Sequence, residues 1–143
     1  MEELISKTDD GIFVKKYSLI SDNLNKYQIY FLIRKNNLYI KAQEEISTIK
    51  KKYEKIISLE AIKQNPYFYS YNSINEILDV IFPLIDNGKS ELKGDFNSLI
   101  LIINLPTLNV REISFKLEKN ENFKNNELNE LYKYIIDLHK ENV

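Results

Sequence analysis

The chain has no cysteine, one histidine and only three glycines among its 143 residues. Without cysteine there is no disulfide, no thiolate metal ligand and no cysteine nucleophile. His139 stands alone near the end of the chain, so no second histidine is available as a base for a serine nucleophile. The three glycines are too far apart to form a phosphate-binding loop. These shortages predict a protein that is not an enzyme and holds no cofactor and no metal ion.

Charge and hydrophobicity argue against two further classes of partner. The 20 basic and 21 acidic residues give a net charge of −1, whereas neutralising nucleic-acid phosphates requires a basic surface. The longest apolar run, Leu99–Ile103, is far shorter than the ~20 residues of a membrane helix. The start, Met1–Ile5, lacks the basic region of a signal peptide. We therefore expect a cytoplasmic protein that binds neither nucleic acid nor membrane.

Hydrophobic residues make up 43% of the chain, enough for one packed core, and their spacing predicts strands on either side of a helical middle. The paired Asn36 and Asn37 tolerate a tight hairpin turn between the second and third strands. The expected fold class is α+β, with an antiparallel β-sandwich or barrel-like sheet of about seven strands. The predicted strands are Phe13–Leu19, Tyr27–Ile33, Leu38–Lys41, Lys52–Ile57, Glu91–Lys93, Ser98–Leu105 and Val110–Leu117.

The middle of the chain carries two helix signals. Ser58 is placed to cap a short helix that Pro66 must end. Ser73 and Glu76 form a capping box, which is followed by an apolar stripe with helical spacing and then by Gly88 as a stop. Together these signals predict a helix–turn–helix inserted midway in the sheet. The stripe consists of Ile74, Ile77, Leu78, Ile81, Phe82 and Ile85.

These elements predict a single domain over residues 1–143. Residues 1–11 are expected to be a flexible N-terminus, residues 12–119 an α+β head, and residues 125–141 a C-terminal helix.

The run Tyr67-Phe68-Tyr69-Ser70-Tyr71 is unusually dense in aromatic residues. We expect Phe68 to enter the core beneath the two helices. Tyrosine is enriched in interfaces because it combines a large rigid surface with a polar tip. Tyr67, Tyr69 and Tyr71 therefore either form a partner-binding patch or line the rim of the core.

The C-terminal helix carries leucine and isoleucine at intervals of three, four and three residues, the spacing of a coiled coil. One interpretation is a dimer stalk or docking helix, and the other is a helix that packs on the domain's own sheet. Two heptads are too few to hold a dimer alone, so only a weak homodimer is expected. The spaced residues are Leu128, Leu131, Ile135 and Leu138.

The order of elements resembles the head domain of a scaffold superfamily that includes the centriolar cartwheel protein and DNA end-joining repair scaffolds. This resemblance implies a barrel-like head and a dimerising helical stalk, although the stalk here is much shorter. The chain also resembles a module recurring in AT-rich protist proteins, with SLE, NEI and FKLEK in the same order. The superfamily likeness rests on Ile56–Leu59, Tyr67-Phe68 before Ser73–Ile77, Leu99–Leu105 and Leu128–Leu138.

Two functions fit these observations. The first is a non-catalytic protein–protein interaction or scaffold module, of cytoskeletal or centriolar type if the resemblance holds, that self-associates through its C-terminal helix. The second is a small inhibitor or immunity-type protein that blocks a partner's active site. The candidate partner-binding residues are Tyr67, Tyr69, Tyr71, Leu128, Leu131, Ile135 and Leu138.

Overall fold

The computed structural model describes residues 11–45, 51–94 and 97–119, where seven antiparallel strands form one curled sheet, a half-barrel. The strand order across the sheet is β1-β2-β3-β4-β7-β6-β5. The seven-stranded antiparallel sheet expected from the sequence is thus confirmed. The strands are β1 Ile12–Ile20, β2 Lys26–Arg34, β3 Asn37–Glu44, β4 Lys52–Ser58, β5 Ser90–Gly94, β6 Ser98–Asn104 and β7 Glu112–Lys119.

The β2–β3 hairpin turns one residue earlier than the paired asparagines suggested. Arg34 lies opposite Asn37, so Lys35 and Asn36 form the turn and Lys35 takes the positive φ of 60°. Asn37 belongs to β3 instead. This register places Leu38 opposite Ile33 on the core side, and a slip of one residue would turn both side chains outward.

The curl of the sheet brings the β1–β2 hairpin at one edge into contact with β5, the strand at the other edge. In the β1–β2 turn, the Asp22 amide donates to the Leu92 carbonyl of β5 at 2.9 Å. The Gly94 amide in turn donates to the Asp22 carboxylate at 3.0 Å. Asp22 thereby satisfies backbone groups on an edge strand that would otherwise lie open to solvent or to another chain.

Two helices and one 3₁₀ turn lie between β4 and β5. Helix α1 spans Leu59–Ile62, the 3₁₀ turn spans Pro66–Phe68, and helix α2 spans Ile74–Asp86. Both predicted caps form, since the hydroxyls of Ser58 and Ser73 accept amide hydrogen bonds at 3.1 Å and 3.2 Å.

The core lies between the concave face of the sheet and α2. Apart from half-buried Phe82, the predicted stripe of α2 is buried there. It meets alternate side chains of the strands, because successive residues of a strand point to opposite faces. Buried inward-facing residues include Ile29, Phe31, Leu38, Ile40, Leu99, Leu101, Ile103, Phe115 and Leu117.

Of the two sheet arrangements that the sequence left open, the structure has the barrel-like one, since the strands form one continuous curled sheet and not the two packed sheets of a sandwich. The predicted helix–turn–helix does not form, since α1 is a single turn of four residues. Asn65 and Pro66 explain the early stop: Asn65 is extended, as a residue before proline prefers to be, and its side chain caps the 3₁₀ turn instead.

The flexible N-terminus is predicted over residues 1–11, and its first ten residues lie outside the described residues, as does the C-terminal helix predicted over residues 125–141. Within the three described ranges, no helix is long and apolar enough to cross a membrane.

Candidate partner-binding surface

The tyrosine segment, Tyr67–Tyr71, presents its aromatic rings in two opposite ways. Phe68 is fully buried, which confirms its predicted place in the core, and Tyr69 next to it is 76% exposed. Tyr67 and Tyr71 are half-buried. Their rings meet the Phe68 ring nearly at right angles, with centroids 5.1 Å and 5.3 Å away, an arrangement that aromatic pairs favour. Of the three predicted contact tyrosines, Tyr69 is therefore the one whose side chain is mostly exposed to solvent.

Hydrogen bonds of ordinary length fix the backbone on both sides of Tyr69. The Phe68 amide donates to the Asn65 carbonyl at 2.9 Å, and the Tyr71 amide donates to the Phe68 carbonyl at 3.1 Å. The Asn65 side chain accepts from the Tyr67 amide at 3.0 Å and donates to the Glu112 carbonyl of β7 at 3.3 Å. The sheet and the core thus fix the segment from both sides, and Tyr69 projects from a well-supported base.

A surface depression of about 550 Å³ lies beside Tyr69. Its walls combine the charged side chains of Glu60 and Lys63, the amide of Gln64 and the rings of Pro66 and Tyr69. Protein interfaces have a similar composition, with polar groups at the rim around an aromatic residue.

The predicted partner-binding residues include only Tyr69 of this lining and miss the other four, although the sequence offered a signal. That signal is the position of the polar residues after the Ser58 cap, since Glu60 and Gln64 lie within a few residues of Pro66 and Tyr69 in the sequence.

A second ionisable cluster joins β1 to α2. The Tyr17 hydroxyl donates to the Phe82 carbonyl at 3.2 Å, and the Lys15 ammonium lies 3.7 Å from the Asp86 carboxylate. Burial raises the pKa of Tyr17, and the hydrogen bond that the Lys15 ammonium donates to the Tyr17 oxygen raises the pKa of Lys15. Both shifts keep the groups protonated near neutral pH, which suits a fixed contact between strand and helix and not proton transfer.

Carboxylates and histidines do not gather elsewhere in the described part of the chain. Across residues 11–45, 51–94 and 97–119, no group of three or more such side chains is placed to hold a metal ion. His139 and the spaced residues Leu128, Leu131, Ile135 and Leu138 lie outside the described residues.

Comparison with known proteins adds no family. No protein-family model matches the chain, and no curated protein matches it significantly. The geometry of the surface around Tyr69 is therefore the basis for a functional proposal.

Proposed function

We propose that the protein is a non-catalytic interaction module that binds a protein partner through the surface around Tyr69. The observation that carries this proposal is the contrast between two neighbouring rings, Phe68 fully buried and Tyr69 76% exposed. Burying an aromatic ring stabilises a fold by several kcal/mol at most sites, yet Tyr69 is held in water by a rigid turn. Because the backbone of this turn is already fixed and a tyrosine side chain has only two torsions, little conformational entropy is lost when a partner covers Tyr69.

The surroundings of Tyr69 fit a protein partner. Binding hot spots are enriched in tyrosine and sit next to pockets with polar rims. The depression beside Tyr69 supplies that rim through Glu60 and Lys63, which carry opposite charges, and through the amide of Gln64. A partner with both an apolar contact and a few hydrogen-bonding groups would match this mixture.

Affinity capture from cells of the source organism tests the proposal. Wild type and Tyr69→Ser are compared as baits, with Leu24→Ser as the matched control. Leu24 is 84% exposed and lies in the β1–β2 turn, at the other end of β2 from the turn that contacts α1. We expect Tyr69→Ser to lose a partner that wild type and Leu24→Ser both retain.

The outcome also separates the two functions that the sequence suggested. If the lost partner is an enzyme that the purified protein inhibits, the inhibitor function replaces the scaffold function. If it is a structural or assembly protein, the scaffold function stands. Equal recovery with all three baits would contradict binding through Tyr69.

A further inference from the structure

The convex face of the sheet carries a row of apolar side chains across four strands, here called the outer row. The register places Phe13 opposite Leu32, Leu32 opposite Tyr39, and Tyr39 opposite Ile56. Opposed residues of antiparallel strands point to the same face. Since Phe31 and Ile40 beside them face the core, the outer row points away from α2.

The middle of the outer row is covered. Leu32 and Tyr39 are each only 5% exposed, although they lie on the side opposite the core. Ile56 at the end of the row is 45% exposed, and Ile100 on the same face of β6 is half-buried. Neighbours within a sheet shield the flanks of a side chain and leave its tip open. Tyr39 is partly covered by the sheet's own side chains, because its hydroxyl donates to the Glu54 carboxylate and the Lys41 ammonium lies 5.8 Å from its ring centroid. Leu32 has no polar tip to be covered in this way, so its burial to 5% calls for a further layer above it.

We propose that residues 125–141 form this layer by docking as an amphipathic helix on the outer row of their own domain. The chain leaves the sheet close by, because Lys119 at the end of β7 pairs with Tyr53. Ile56 lies three residues further along β4, about 10 Å away at the usual rise of a strand. The eight residues 120–127 can span roughly 26 Å, so the segment reaches the row without strain.

The dimensions of the two surfaces also match. From Leu128 to Leu138 the apolar residues of the segment span eleven residues, and the ten steps between them measure about 15 Å of helix. Four neighbouring strands enclose three spacings, which together measure about 14 Å. One helix stripe is therefore long enough to cover the whole outer row.

Thiol labelling of the full chain tests the docking directly, because the chain has no cysteine of its own. Leu32→Cys reports on the outer row, Ile100→Cys on a half-buried position of the same face in β6, and Leu101→Cys on the core. Each is treated with iodoacetamide, alone and combined with Leu131→Asp and Ile135→Asp. We expect the charged pair to speed labelling of Leu32→Cys at least about tenfold, and to leave Ile100→Cys and Leu101→Cys unchanged.

Sedimentation of the same variants identifies the source of the cover. We expect one monomer mass with and without the charged pair, and protection of Leu32→Cys that does not vary with concentration. A dimer mass that the charged pair abolishes would assign the cover to a second copy and overturn the proposal.

Three labelling results would also overturn the proposal. The first is fast labelling of Leu32→Cys in the otherwise native chain, and the second is a labelling rate of Leu32→Cys that the charged pair does not change. The third is an equal increase in the labelling rate of Leu101→Cys, which would indicate unfolding of the core. Should Leu32→Cys fail to fold, Tyr39→Cys gives the same readout, since Tyr39 lies in the same row and is equally buried. The proposal does not depend on Tyr69, since the outer row and the depression lie on different elements.

Discussion

Helix α2 and the tyrosine segment follow each other in the chain and use apolar residues for opposite purposes. Helix α2 has a cap at Ser73, thirteen residues of length and a continuous stripe that enters the core. The tyrosine segment belongs to a stretch with a four-residue helix and a three-residue 3₁₀ turn, and it buries one ring and displays the next. Helix α2 therefore stabilises the core, whereas the conformation of the tyrosine segment depends on that core.

The largest effect should come from the residue that links the two regions, Phe68. Its fully buried ring contacts both Tyr67 and Tyr71, so Phe68→Ala leaves a cavity beneath the segment. We expect the free energy of unfolding to fall by about 3–5 kcal/mol, measured by chemical denaturation. Tyr69→Ala serves as the control and should change it by less than about 0.5 kcal/mol. An equal loss of unfolding free energy in the two variants would contradict the distinction between Phe68 as a core residue and Tyr69 as an exposed one.

A smaller difference in stability is expected between variants of the two helix caps, Ser73 of α2 and Ser58 of α1. In α2 the Ser73 hydroxyl accepts the Glu76 amide, and the Glu76 carboxylate reaches back to the Asn72 amide at 2.7 Å. Ser73→Ala should cost about 1 kcal/mol, because a capped helix of thirteen residues depends on that first turn. Ser58→Ala should cost less, since α1 has only one turn to stabilise. A larger loss for Ser58→Ala would show that the short helix contributes more than its length suggests.

Alkaline pH should weaken the core that α2 fills. Burial raises the pKa of Tyr27, which points inward from β2, and also that of Tyr17. Their contribution is complete below the ordinary tyrosine pKa of about 10 and is lost as pH rises through the higher folded pKa. The melting temperature should therefore fall as pH rises above about 10. Tyr27→Phe should fall less steeply over this range, and an identical slope would assign the loss to other groups.

Local signals explain why α2 could be predicted in detail. The cap, the acidic residue three positions later and the stripe all lie within one stretch of sequence, and each acts over a few residues. The same holds for the alternation of Ile113, Phe115 and Leu117 in β7. Short-range chemistry was enough to place these elements.

Contacts between distant residues explain what could not be predicted. The curl of the sheet depends on Asp22 bonding to Leu92, seventy positions away, and no local pattern indicates that pair. The roles of Tyr67 and Tyr69 were also open, because they depend on how the turn at Asn65 and Pro66 is fixed against β7. The depression beside Tyr69 follows from that turn and from α1 together.

The most direct test of the account is the affinity of a purified partner for Tyr69 variants, measured by isothermal titration calorimetry. Tyr69→Ala should weaken binding by about 2 kcal/mol or more, roughly 30-fold, as expected of an aromatic hot spot. Tyr69→Phe should keep most of the affinity if the ring supplies the contact, and Leu24→Ala should keep all of it. An unchanged Kd for Tyr69→Ala, with the fold intact, would contradict the proposal that Tyr69 anchors the partner.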